Sequence, residues 1–168
     1  MTNTSGEIFD QSQRSVFKQW YNSGNKGFIG IHAAADTMTS WDWYLKLVGA
    51  KFTYHSMPPT QYHDATMTNL DRDHPATEHL GKRWTIYEEW YHFDTLNPNK
   101  TILLNLEESS YNVTENLAGP PMGANHPVAW YEKYENGKMF YTAIGDRDDH
   151  YYTQDYKDLI VGAMRYVL

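Results

Sequence analysis

Gly27-Phe28-Ile29-Gly30-Ile31-His32-Ala33-Ala34-Ala35-Asp36 is the stretch that decides how this chain reads. Phe28 to Ile31 form a short apolar run, opened by glycine and closed abruptly by a histidine. Runs of this length, bounded by glycine, read as strands buried inside a parallel sheet. Open α/β sheets present their ligands just beyond the carboxyl ends of such strands. His32 stands at that point, and the small side chains of Ala33, Ala34 and Ala35 leave room beside it. The competing reading is a partly buried histidine that only caps a strand end.

Outward from this strand, helices and further strands follow. Upstream, Asp10 with Gln13 reads as a capping box, and Val16, Phe17, Trp20 and Tyr21 form one apolar stripe that stops at Gly24. Downstream, Ser40 caps a second helix with Tyr44, Leu45 and Val48 on its inner face, ended by Gly49. Tyr54 to Gln61, with Pro58-Pro59, reads as a surface loop. Strands are expected over Ala65–Leu70, Arg83–Phe93 and Ile102–Leu106, with a turn at Asp73-His74-Pro75. Ser109–Asn125 is polar and rich in Gly and Pro, a loop expected to border a site. Val128–Tyr134 and Lys138–Ile144 flank Glu135-Asn136-Gly137, a strong hairpin signal. A closing helix spans Gln154–Val167, burying Tyr156, Leu159, Ile160, Ala163 and Tyr166. This order predicts a three-layer α/β fold in a single domain over 1–168, opening on a helix where such domains usually open on a strand.

Composition narrows the function classes. The chain has 168 residues, 40% hydrophobic and 15% aromatic, with 14 tyrosines and 6 tryptophans. Tyr and Trp offer flat apolar faces with a polar handle, suited to sugars as well as to interfaces. A formal net charge of −7, with no Lys/Arg cluster, argues against nucleic acid as a partner. With no cysteine, neither disulfides nor thiolate chemistry are available. No apolar run reaches membrane-spanning length and no signal peptide is visible. A soluble chain with no membrane partner is expected, its compartment left open.

Titratable residues gather at strand ends and in loops: His32, Asp36, His55, His63, His74, Glu88, Glu89, His126, Asp146 and His150. No His-x-x-x-His helical pair is present, so no zinc site of fixed spacing can be read. A divalent metal assembled from distant loops stays open. In Asp73-His74-Pro75 and Asn125-His126-Pro127, proline holds the histidine in an extended pose. His74 reads as part of a surface turn, whereas His126 follows a glycine-rich loop and precedes the strand carrying Trp130. Glu88 and Glu89, as strand neighbours, alternate, so one is expected in a pocket and the other in solvent. His32 titrates near neutrality and is a candidate general acid or base, with Asp36 or Glu89 as its partner. It occupies the place of a nucleophile elbow without a serine or cysteine, which disfavours acyl-enzyme chemistry.

These segments together resemble the ThuA-like (trehalose utilisation) family. The matching pieces are Gly27–Asp36, Trp41–Gly49, Asp73-His74-Pro75, Glu88–Phe93, Met122–Trp130 and Gly137–Gly145, in collinear order over nearly the whole chain. The resemblance implies a flavodoxin-like sandwich of the class I glutamine amidotransferase type, here apparently lacking its first strand. The family's amino-terminal strand and Arg-His loop are missing, and the usual Gly-His after the last strand reads Gly145-Asp146. It further implies pocket residues at His32, Asp36, His55, Glu89, His126 and Asp146, and a role in the breakdown of oxidised disaccharides.

The leading expectation is a sugar-processing enzyme that hydrolyses or isomerises a keto-disaccharide or related glycoside. His32, Asp36 and Glu89 are its catalytic candidates. Trp43, His55, Trp90, His126, Trp130, Tyr141 and Asp146 are its substrate-binding candidates, with His126 binding substrate or a metal. The alternative is a non-catalytic module that binds carbohydrate or protein; a third is a hydrolase or metal enzyme of another substrate class. A homo-oligomer is expected from an opened sheet edge and abundant tyrosines.

Overall fold

The computed structural model describes residues 1–168, the side chain of Thr95 excepted. Helix α1 covers Gln11–Asn22, started by the expected capping box: the Asp10 carboxylate accepts from Gln13 N, and the Gln13 side chain accepts from Asp10 N, both at 2.9 Å. Its apolar stripe is narrower than expected. Tyr21 is buried and Phe17 half-buried, but Val16 and Trp20 are 65% and 46% exposed. Phe17 and Tyr21, four apart, meet the body of the protein; Val16 and Trp20 lie on the neighbouring strip of the helix.

Strand β1 (Gly27–Ile31) ends in a short 3-10 turn over His32–Asp36. Helix α2 (Asp42–Val48) has Trp41, not Ser40, at its N-cap; the Ser40 hydroxyl accepts from Arg14 instead of capping the helix. Gly49 closes it at φ 85°, a left-handed backbone that suits glycine. The remaining strands are β2 (Ala50–Tyr54), β3 (Tyr62–Asn69), β4 (Arg83–Glu89), β5 (His92–Leu96), β6 (Thr101–Leu106), β7 (Pro127–Tyr134) and β8 (Gly137–Thr142). Helix α3 spans Gln154–Val167.

Six strands form one sheet in the order β1-β8-β7-β6-β3-β4; β2 and β5 make a separate ribbon. Only β1 and β8 are parallel; every other pair is antiparallel. The single strand expected over Arg83–Phe93 breaks at Trp90-Tyr91, and its second half leaves to pair with β2. Neighbouring residues of β1 point to opposite faces and show the layering. A side chain at Gly27 would strike Val167 of α3, whereas Phe28 meets Tyr44 of α2 and Phe17 of α1, ring edge against ring face. The sheet therefore lies between α3 on one side and α1 with α2 on the other, the three-layer mixed α/β architecture expected. Trp130, Phe140, Tyr141, Leu103 and Leu104 fill its centre.

Candidate functional site

The carboxyl end of β1 delivers His32 into a strained turn. Its φ is 47°, a left-handed value costly for any residue with a Cβ. Three contacts hold it there. The ring Nδ1 donates to the Ala143 carbonyl at 2.7 Å, the Tyr141 hydroxyl donates to the His32 carbonyl at 2.8 Å, and the Tyr91 ring lies 3.9 Å from the imidazole. With Nδ1–H committed, Nε2 faces Glu89 Oε2 at 3.1 Å and Asp146 Oδ1 at 3.6 Å. The three donor atoms are close enough to share a proton or a cation.

Burial works against charge on His32, but the Glu89 hydrogen bond, the Ala143 carbonyl and the negative Glu89 and Glu88 outweigh it, holding the imidazole above its ordinary value. Burial likewise opposes charge on Glu89. The hydrogen bonds from His32 and Gln61, with the nearby His55, prevail and hold its carboxyl below the usual range. The two shifts have a common source, the buried contact between the His32 imidazole and the Glu89 carboxylate.

Around this pair the structure gathers residues from distant segments. His55 Nδ1 lies 3.5 Å from Glu89 Oε1, and the Tyr62 hydroxyl donates to Asp146 Oδ2 at 2.7 Å. His32 and Glu89 are nearly sealed, whereas the Asp146 and His55 side chains are 30% and 22% exposed and open the site to solvent. Glu88 is fully buried beside Glu89, not solvated as expected. It accepts from the Gly145 amide at 2.9 Å and faces His150 Nε2 at 3.2 Å. The strand ends at this point, so its last two carboxylates enter two different niches.

The other expected site residues are placed differently. Asp36 sits at the far end of the short turn, and no hydrogen bond or ion pair joins it to His32 among the described residues. Trp43, Trp90 and Trp130 are 7%, 2% and 0% exposed, so none has a free face for a sugar. Trp43 packs among Phe17, Tyr21 and Trp41; Trp90 and Trp130 donate their indole N–H to the His63 and Val48 carbonyls. Tyr141 is fully buried and positions His32 rather than meeting a ligand. His126 is fully buried behind Tyr91, donating from Nε2 to its carbonyl at 2.9 Å. His74 does lie in a turn, but its ring is buried against Tyr131.

Sequence reasoning missed Gln61, Tyr62 and Tyr91 here, and Glu108 beside His126. Tyr62 and Gln61 flank a loop exit, and nothing local marks them as partners of Asp146 and Glu89 respectively. A surface cleft of about 800 Å³ is lined by Asp42, Lys46, Gly49, Asp94 and Glu132 among others, and contains none of the His32 group.

A family model described as ThuA, trehalose utilisation, matches residues 1–167. A ThuA-like protein from Bacteroides uniformis is similar in structure, with a TM-score of 0.77 and 24% identity, covering 97% of this chain and 66% of that one. A second, from Parabacteroides merdae, gives 0.74 and 14%, covering 98% and 68%. The chain thus spans about two thirds of the length of both. It also resembles part of a beta-galactosidase from Bacillus circulans sp. alkalophilus, with a TM-score of 0.56 and 12% identity over 98% of this chain and 22% of that one. No curated protein sequence matches it.

Proposed function

From the premise that the chain belongs to the ThuA family of trehalose utilisation, we propose that it processes an oxidised disaccharide, hydrolysing or isomerising a keto-sugar by proton transfer at His32. The observation that carries this reading is the strained, buried His32 imidazole set between Glu89 and the part-exposed Asp146. A ketone acidifies the hydrogen on its neighbouring carbon. In this reading the His32 Nε2 proton, shared with Glu89 at rest, passes to the ketone oxygen while Asp146 takes that carbon-bound proton, leaving an enol. Returning the proton at a different carbon isomerises the sugar; expelling a glycosidic oxygen from the enol and adding water cleaves it.

Glu89 keeps the imidazole charged and oriented, and Asp146 takes the partner role first expected of Asp36. Tyr62, His55 and Arg147 border the entrance, the Arg147 guanidinium lying 5.5 Å from the Tyr62 ring. No helix among the described residues is long and apolar enough to cross a membrane.

Deep burial of His32 under Tyr91 favours a second reading, a module that binds carbohydrate without turning it over. One experiment separates them. The protein is incubated with keto-disaccharides and their unoxidised parents, and products are followed by NMR for wild type, Glu89→Gln and Asp146→Asn. Conversion of a keto-sugar by wild type, slowed at least about 100-fold in both variants, supports the enzyme. Binding without conversion replaces it with the binding module.

A further inference from the structure

A second cluster lies behind Tyr91, where nothing in the acid–base reading needs it. His92 at the start of β5, Glu108 after β6 and His126 before β7 bring one ligand atom each within 4.8 Å of the others. His126 Nε2–H donates to the Tyr91 carbonyl at 2.9 Å, which leaves Nδ1 a lone pair in the neutral ring. That nitrogen nevertheless sits 2.8 Å from Glu108 Oε1, itself an acceptor. His92 repeats the arrangement. Its Nδ1–H faces the Trp90 carbonyl at 3.3 Å, and its Nε2 is buried with no partner, 3.9 Å from Glu108 Oε1. The His92 side chain is 2% exposed and that of His126 0%.

From this geometry we infer that His92 Nε2, His126 Nδ1 and Glu108 Oε1 form a binding site for a divalent transition-metal ion of the zinc class. Two imidazoles and a carboxylate, with a water in the fourth position, are a donor set that zinc accepts. Imidazoles that bind metal usually donate their second nitrogen to a backbone carbonyl or carboxylate, as both rings do here. Glu108 is also held from outside, accepting from the Met122 and Gly123 amides at 2.8 Å each. Tetrahedral ligands about zinc stand roughly 3.3 Å apart, so the 2.8 Å contact opens and the 3.9 Å contact closes by about half an ångström each. The ion would pin the loop between β6 and β7 to the start of β5. The Glu108 side chain, 10% exposed, gives it a way in. This site does not depend on sugar chemistry at His32.

The test uses the full chain, stripped with a chelator and titrated with Zn²⁺ by calorimetry, then with Co²⁺ by visible absorption. One equivalent of each ion should bind, with cobalt giving intense tetrahedral d–d bands. Affinity should fall at least 100-fold in His92→Ala and in the gentler His92→Gln, while His32→Gln binds as wild type does. Thermal unfolding with and without Zn²⁺ should show stabilisation in wild type and His32→Gln and none in the two His92 variants. Absence of stoichiometric binding to wild type, or binding that survives both His92 substitutions, overturns the site. Binding lost in His32→Gln but kept in His92→Gln moves the ion to the other cluster and overturns it equally.

Discussion

At the scale of single residues, the two carboxylates that end β4 each hold an imidazole: Glu89 holds His32 and Glu88 holds His150. The His32 value is raised and the Glu89 value lowered, so each contributes stability over its own range. The His32 contribution is complete below about pH 6.5 and disappears as pH rises through its raised folded value. The Glu89 contribution is complete above about pH 4.3 and disappears as pH falls through its lowered one. The stability difference between wild type and Glu89→Gln should therefore be largest between those limits, and denaturant titrations across pH 3 to 9 will show it. Glu88→Ala should cost about 3 kcal/mol in the same assay, because it strands the Gly145 and Glu89 amides in the interior and removes the carboxylate facing His150. His32 was legible in the sequence because one residue abruptly ends an apolar run. Glu88 was misread, since strand alternation says nothing once a strand stops.

At the scale of elements, local signals carried far. The Asp10–Gln13 capping box and the hairpin at Glu135-Asn136-Gly137 formed as read, since both are settled by neighbours within a few residues. Asp10→Ala should lower stability by about 1 kcal/mol, seen as a shifted denaturation midpoint at unchanged slope. Strand β2 left no such signal, because neither of its faces is fully buried. The break between β4 and β5 was equally hidden. It depends on the Trp90 indole reaching the His63 carbonyl, a bond between segments 27 residues apart. Helix α3 depends on another long-range fit: any side chain at Gly162 would collide with the backbone at Pro75 and Ala76. Gly162→Ala should cost about 2 kcal/mol and lower the melting temperature.

At the scale of the whole molecule, strand order makes the site. Residues 32, 89 and 146 come from a strand end, a sheet edge and the segment after β8, and composition carries no information on that register. The collinear segments shared with the ThuA family supplied the arrangement that periodicity could not. Val16 and Trp20 form an exposed apolar pair on α1, and we propose this strip as the contact of the expected homo-oligomer. Sedimentation of wild type should show a dimer that Trp20→Glu weakens; a monomer at all concentrations would exclude that surface. The central claim concerns one proton, and imidazole nitrogen NMR of the labelled protein observes it directly. His32 should carry imidazolium shifts on both nitrogens at pH 7 and convert to the neutral form at that pH in Glu89→Gln. A His32 ring already neutral at pH 7 in the wild-type protein would contradict the account.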